Sequence, residues 1–487
     1  MISQPLLPRS SPLRRRHSRH RKRAAIVVPA LVAAAMLGVA MWQGRHLGLG
    51  VKSHDNEDKS NMNNNAAYDR VAKHERYDRS AADSTGTTPC RLRGGALELE
   101  KVVSDQLQIY GKESANEFTY NPLTKKTKVI ATLGPACSDI ESLKALLRAG
   151  ANIFRLNSSH RRPGQFEKVV KLIRQASAEA GIPVQILGDL QGPKFRVAEV
   201  GGEGHVMLQE GEVVSFGIRK DDNDVIVPGR IVMKPTKEQT ALLKGLSNGM
   251  KLLINDGAME LQVIERVSEE EVKAKVVVGG KLTARKGVNV PQLQIECSAL
   301  TAKDIDDANF LLSCDPPIDY VALSFVQKKQ DVEDFIELMD KAGIPKNKRP
   351  KIIPKIEKPQ ALENVDGILE IADGLMVARG DLGVECSIER VPFAQKLLIR
   401  KANLQKKFVI VATQMLESMN DNAAPTRAEV SDVANAVFDG TNAVMTSAET
   451  STGKFPSRTI EQMSRIVTEA EKMLPKLAQL GSTKKSE

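Results

Sequence analysis

In the segment KIIPKIEKPQ (351–360), Lys355 and Glu357 stand two residues apart. The segment reads as a β-strand, on which residues i and i+2 share a face. A second carboxylate, Asp381, follows in ARGDLG, at the end of the next strand-like run. Two carboxylates with open coordination positions suit Mg²⁺, which keeps waters and recruits substrate oxygens. A lysine and arginines beside such a metal suit phosphoryl transfer, where the protein mainly positions groups and neutralises charge. A histidine-based zinc site is not indicated: no strand end carries a pair of histidines, and only His160, after Ser159, lies near one. A further stretch, LGDLQGPKFRV (187–197), ends an apolar run at Asp189 and sets Lys194 five residues on, across a Gly-Pro turn.

The elements that must hold these residues alternate. Eight β-type runs are expected at 127–134, 152–159, 184–191, 319–326, 351–357, 374–381, 408–415 and 443–450. Helical patterns lie between most of them. In DIESLKALLRAG (139–150), Leu143, Leu146 and Leu147 fall on one face, and Gly150 suits a C-terminal stop. Strand–helix alternation means parallel strands, and eight units fit an α/β fold of the closed (β/α)8 TIM barrel type. The C-terminal strand ends, where such barrels carry their chemistry, hold Arg155 and Asn157, Asp189, Ser324, Lys355 and Glu357, Arg379 and Asp381, Thr413, and Ser447 and Glu449. The rhythm breaks once. Residues 194–286 are rich in β-type residues and turns, which predicts a small β-barrel domain inserted in a barrel loop, placed to act as a lid.

Composition narrows the partners. The 487 residues carry a net charge of +10, but residues 1–23 hold eight basic groups and no acidic ones, leaving 10 − 8 = +2 for the rest. One local basic arm and an aromatic content of 4% give no support to nucleic-acid binding. Cysteines 90, 137, 297, 314 and 386 show neither C-x-x-C spacing nor a zinc-like grouping. Residues 24–42 carry no charge and as a helix would span roughly 28 Å, close to a bilayer core. Two readings follow: a signal anchor making this a single-pass membrane protein with membrane contact through 24–42, or a cleaved targeting sequence for a plastid or mitochondrion. Residues 43–120 read as a disordered polar linker.

The motifs TKVIATLGPACSD, IFRLNSSH, GDLQGPKFRV, KGVNVP, VALSFV, PKIEKPQALEN, MVARGDLGVE, VATQMLESM, PTRAEVSDVANAVFDGTNAVM and SAET occur in order over about residues 124–475. In this the chain resembles pyruvate kinase. The resemblance implies a catalytic barrel over 121–193 and 287–475, the inserted lid at 194–286 and a polar tail at 476–487. It implies that phosphoenolpyruvate and ADP give pyruvate and ATP, in glycolysis, with Mg²⁺ (or Mn²⁺) as cofactor. By position, Lys355 matches the catalytic lysine, and Glu357 and Asp381 the divalent-metal ligands. Arg155 and Arg196 match cations near the transferring phosphate and nucleotide, and Lys286 a nucleotide-side lysine on the lid hinge. Thr413 matches the threonine near the enolate carbon. Ser447 and Glu449 match the proton-delivery region. Pro135, Asn157 and His160 match the nucleotide-site lining, and Gly380 the substrate loop beside Asp381.

The family's monovalent-cation site is matched by Asn157, Ser159, Asp189 and the backbone oxygen of Leu190. There the common pattern Asp-Thr-Lys-Gly-Pro-Glu reads Asp-Leu-Gln-Gly-Pro-Lys. Lys194 thus reverses a charge, and a unit charge ~4 Å from another is worth about 4 kcal/mol at an effective dielectric of about 20. The chain resembles the K⁺-independent branch, with Lys194 as an internal cation and K⁺ not required. Only 38 residues follow Glu449 (487 − 449), so the family's usual C-terminal domain is expected to be missing. A homo-oligomer stays open, and a tetramer and effector control are in doubt. Two other readings remain: a catalytically idle, membrane-tethered paralogue acting as a scaffold, and another phosphoenolpyruvate-using barrel enzyme such as a carbon–carbon lyase.

Overall fold

Barrel strands β1 (Lys128–Thr132), β2 (Ile153–Asn157), β3 (Gln185–Asp189), β4 (Tyr320–Leu323), β5 (Lys351–Ile356), β6 (Gly374–Ala378), β7 (Phe408–Ala412) and β8 (Ala443–Met445) form a closed ring in chain order. Every neighbouring pair is parallel, β8 to β1 included. This computed structural model describes residues 120–482 except Pro163 and Glu296, with a few residues between 101 and 111. The basic arm 1–23, the apolar segment 24–42 and most of the expected linker 43–120 lie outside the described residues. Within that linker, Val103–Asp105 and Leu107 are helical, and Val103 and Leu107 share a face by their four-residue spacing. Among the described residues, no helix is long and apolar enough to cross a membrane.

Parallel neighbours need crossovers. These include helices α1 (Ile140–Ala149), α2 (Gln165–Ala180), α3 (Ala302–Leu312), α4 (Lys329–Lys341), α5 (Val365–Ile371), α6 (Arg379–Glu385), α7 (Val391–Leu404) and α8 (Arg427–Phe438); a last helix, α9 (Pro456–Ser482), follows β8. Local sequence fixes α1 at both ends. Asp139 accepts the Ser142 N–H in a capping box, Leu143, Leu146 and Leu147 are buried, and Gly150 closes the helix at φ 106°, where a side chain is disfavoured. The last helix packs on α1 and α8. Its Glu471 takes the backbone N–H groups of Lys126 (2.9 Å) and Thr127 (2.6 Å), tying it to the start of β1. Pro475, where the barrel is expected to end, lies inside this helix.

Strand alternation divides the core. Ile130, Ile153, Leu187, Tyr320, Ala322, Ile353, Met376, Ile410, Ala443 and Met445 form one buried cluster, filling the barrel. Their strand neighbours, such as Val129, Phe154, Ile186, Val321, Ile352, Val377, Val411 and Val444, belong to another, against the helices. Arg155, Asp189, Ser324 and Lys355 stand two residues beyond Ile153, Leu187, Ala322 and Ile353. They therefore continue the inward rows up to the mouth.

Several expected strands stop early. The run 374–381 ends at Ala378, and Arg379 begins α6, so Asp381 sits in the first turn of a helix. The run 408–415 ends at Ala412 because Thr413 and Gln414 turn left-handed (φ 77° and 56°). A Cβ on Gly380 would lie 2.7 Å from Thr413 Cγ2, so only glycine admits this approach of the two loops. The run 443–450 ends at Met445, with a helical turn at Ala448–Ser451.

Between β3 and β4 the chain builds a six-stranded sheet in the order Val288–Asn289, Lys251–Ile254, Met259–Ser268, Glu271–Val278, Val213–Ile218, Arg230–Met233. A two-stranded sheet pairs Gly280–Thr283 with His205–Leu208. This insertion has its own apolar core, running from Phe195 to Val290.

Candidate functional site at the barrel mouth

Lys355 occupies the centre of the mouth. Its Nζ lies 3.3 Å from Asp189 Oδ1 and 3.1 Å from Glu357 Oε1, and donates to Ser324 Oγ at 2.7 Å. Burial works against the ammonium, but the charges of Asp189 and Glu357 outweigh it and raise the Lys355 pKa. Arg155 Nε reaches the other oxygen of Asp189 at 2.6 Å, and its Nη1 donates to Thr132 Oγ1 at 3.1 Å. Burial alone would favour the neutral acid at Asp189; Lys355 and Arg155 reverse this and hold its pKa below the ordinary carboxylate value.

Glu357 behaves differently. It is 1% exposed, and its Oε2 accepts the Phe325 N–H at 2.7 Å. Burial raises its pKa; Lys355 opposes this, and the negative charge of Asp381 reinforces it. A buried carboxylate whose ionisation is opposed by burial and by a neighbouring negative charge fits a divalent cation, which would relieve that cost. Among the described residues, no three or more Cys, His, Asp or Glu side chains are arranged so that they alone could hold a metal ion. Glu357 and Asp381 would thus leave the remaining coordination positions to water and substrate.

Lys194 joins this second side. Its Nζ pairs with Asp381 Oδ1 at 2.8 Å and with Asp256 Oδ1 at 3.3 Å. Asp189 is paired by Arg155 and Lys355, whereas Lys194, at the same mouth, pairs directly with Asp381 and Asp256 and not with Asp189. The other residues matched to a monovalent-cation site have local partners. Asn157 Oδ1 accepts the Ser159 N–H at 3.1 Å, and the Leu190 carbonyl accepts the Ser324 hydroxyl at 2.6 Å.

Beside the cluster opens a cavity of about 750 Å³ lined by Pro135, Arg155, Asn157, His160 and Ser447, with Thr132, Arg162 and Gln165. His160 has a lowered pKa, through burial and then through Arg196, Arg155 and Lys303, which keeps the imidazole neutral near pH 7. Arg196 donates to the Arg285 carbonyl at 3.0 Å, and Val197 N–H to the Lys286 carbonyl at 2.9 Å, so both basic residues sit where the insertion joins the barrel. Gly380 and Thr413 face each other across the β6 and β7 loops.

Two residues at strand ends are turned away from this space. Glu449 is fully buried and accepts the backbone N–H groups of Ser447 (2.6 Å) and Leu416 (3.3 Å). Arg379 donates to the Thr413 carbonyl and to Asp432, each at 2.7 Å. Thr132 and Asp256, by contrast, belong to the cluster and were not expected there. Thr132 ends β1, so the strand-end rule could have found it. Asp256 lies in a turn of the insertion, at φ 54°, and carries no comparable signal.

The pyruvate kinase barrel-domain family matches residues 124–460. Pyruvate kinase 2 of Synechocystis is 41% identical over 368 residues, covering 74% of this chain and 60% of its own length. A pyruvate kinase of Agrobacterium vitis is 42% identical over 353 residues (72% of this chain, 69% of that protein). The crystal structure of a pyruvate kinase from Cryptosporidium parvum superposes with a TM-score of 0.67 at 35% identity, covering 75% of this chain and 74% of that one. The chain spans about 60 to 70% of the length of these two curated relatives. With a closed barrel whose mouth gathers Lys355, Glu357 and Asp381, and with these likenesses along the same residues, the chain belongs to the pyruvate kinase family.

Proposed function

We propose that this protein is a pyruvate kinase, transferring the phosphoryl group of phosphoenolpyruvate to ADP to give pyruvate and ATP. The observation that carries this is Lys355 held charged between Asp189 and Glu357 at the mouth of a family barrel. In the reaction the P–O bond to the enol oxygen breaks, and a P–O bond to the β-phosphate of ADP forms. The released enolate takes a proton on carbon. Lys355 and Arg155 neutralise charge on the phosphoryl group in flight, a preorganised electrostatic role. Arg196, Lys286, Pro135, Asn157, His160 and Gly380 bind nucleotide and substrate; Thr413 and Ser447 serve the enolate side. Glu449 acts by fixing the Ser447 loop. Glu357 and Asp381 would hold Mg²⁺, which supplies positive charge to the phosphoryl oxygens when bound.

Lys194 acts as a built-in cation, so that K⁺ is not required. Its ion pair with Asp381 supports a charge fixed at the mouth. Residues 24–42 serve as an organelle-targeting sequence, with a membrane anchor as the other outcome of localising a C-terminal fluorescent fusion. The activity is tested by following ATP formation by the purified chain with saturating substrates and Mg²⁺, with and without K⁺. Turnover without K⁺ is expected. No turnover would favour an idle scaffold protein, and strong activation by K⁺ would refute the role given to Lys194.

A further inference from the structure

Helix α6 carries two carboxylates four residues apart, Asp381 and Glu385, a spacing that puts them on one helical face. Each holds a different segment of the junction between barrel and insertion. Asp381 takes Lys194, on the outgoing segment, at 2.8 Å. Glu385 Oε1 takes Asn289 Nδ2, on the return strand, at 2.7 Å, and Lys358 Nζ, next to Glu357, at 2.8 Å. Asn289 is 3% exposed and Glu385 5%. The two junction segments are bound to each other. Val288 N–H donates to the Phe195 carbonyl at 3.0 Å, and a Cβ on Gly287 would lie 2.9 Å from Lys194 Cε.

We infer that Glu385 is a positioning residue: it pins the return strand of the insertion to the helix that carries Asp381 and to the loop that carries Glu357. The contact at Asp381 would be shared with any divalent cation held by Asp381 and Glu357, whereas that at Glu385 would not. The contact at Glu385 is buried and has two donors. It sets the height of the junction, and with it Lys286 and Lys194, whatever occupies Asp381. The kinetic part of this inference rests on the pyruvate kinase reading; the structural part does not.

The test is backbone hydrogen exchange over residues 286–290 in the full chain. Glu385→Ala is expected to raise exchange there about tenfold, the scale of one lost buried polar contact, with the barrel strands unchanged. Asn289→Ala should do the same, and the double variant no more than either alone. Glu385→Gln keeps an acceptor for Asn289 and should restore most of the protection. In turnover, Glu385→Ala should lower kcat while the KM for phosphoenolpyruvate stays unchanged. Unaltered exchange at 286–290 in a folded variant, or a rise spread over the whole barrel, would overturn the inference. If Glu385→Ala does not fold, Asn289→Ala, which leaves Glu385 paired with Lys358, decides by the same readout. An inactive parent protein would refute the enzymatic reading and leave the exchange test standing.

Discussion

Two lysines are buried at opposite ends of the barrel, and their surroundings drive them in opposite directions. At the mouth, Lys355 has a side chain 12% exposed and faces two carboxylates, which raise its pKa despite burial. At the base, Lys125 is 5% exposed and donates to the carbonyl oxygens of Pro122 (2.7 Å) and Gly150 (2.5 Å). There burial wins, with help from the charge of Lys128 and against that of Glu471, and the pKa falls to about 8. Backbone dipoles satisfy an ammonium's hydrogen bonds without repaying its lost hydration; formal charges do. A retained positive charge at the mouth is what a phosphoryl group needs, whereas the base needs only a donor for two loop carbonyls.

The strongest way to break this contrast is Lys355→Met. It leaves Asp189 facing Glu357 with one cation fewer, and ATP formation should fall by about 10²–10³-fold or more. Breaking a buried pair also costs about 3–5 kcal/mol, readable by urea unfolding. Full activity in this variant would remove Lys355 from the chemistry. Next, Asp381→Asn should weaken Mn²⁺ binding, followed by electron paramagnetic resonance without substrate. The loss should exceed the roughly 10–100-fold typical of an outer-shell partner, because Asp381 is proposed as a direct ligand. Unchanged Mn²⁺ affinity would move the metal elsewhere.

The base can be tested by pH. Unfolded, Lys125 holds its proton up to about pH 10.4. Folded, it releases the proton near its lowered value of about 8. Between these values the unfolded state binds more protons, so stability rises with pH. Below about 8 the penalty is complete and constant, and above the unfolded value it is gone. The shift from 10.5 to about 8 corresponds to about 3 kcal/mol. Lys125→Met should remove this slope, seen as unfolding free energy against pH for the two proteins. A slope equal to the parent's would show that Lys125 is not the group responsible. The smallest effect is expected from Lys194→Met: K⁺ should stimulate the variant and not the parent. Equal responses would separate Lys194 from any monovalent-cation role.

How much of this was legible beforehand depends on the range of the interaction. The Lys355–Glu357 pair needs only the two-residue period of a strand, and α1 needs only a cap, an apolar face and a glycine, so both could be read directly. The run GLMVARGD by its local pattern continues β6 through Asp381, but in the fold the strand ends at Ala378 and Asp381 lies in the first turn of α6, where Gly380 packs closely on Thr413. Glu449 and Arg379 look like mouth residues by position. Their side chains are drawn to backbone groups and to Asp432, which no local pattern announces.

By itself the sequence determined the barrel, the broken rhythm between β3 and β4, and the residue types at the strand ends, because periodicity and turn chemistry are local. Tertiary structure alone decided which charges meet. Lys194 and Asp381 are 187 positions apart, and their pairing depends on where the insertion leaves and re-enters the barrel. Asp189 and Glu357 are both carboxylates beside Lys355 and burial pushes both pKa values up, but Arg155 as a second cation helps bring Asp189 down while the charge of Asp381 keeps Glu357 raised. Such interactions fall off over a few ångströms in space and are indifferent to distance along the chain, so only the folded molecule could assign them.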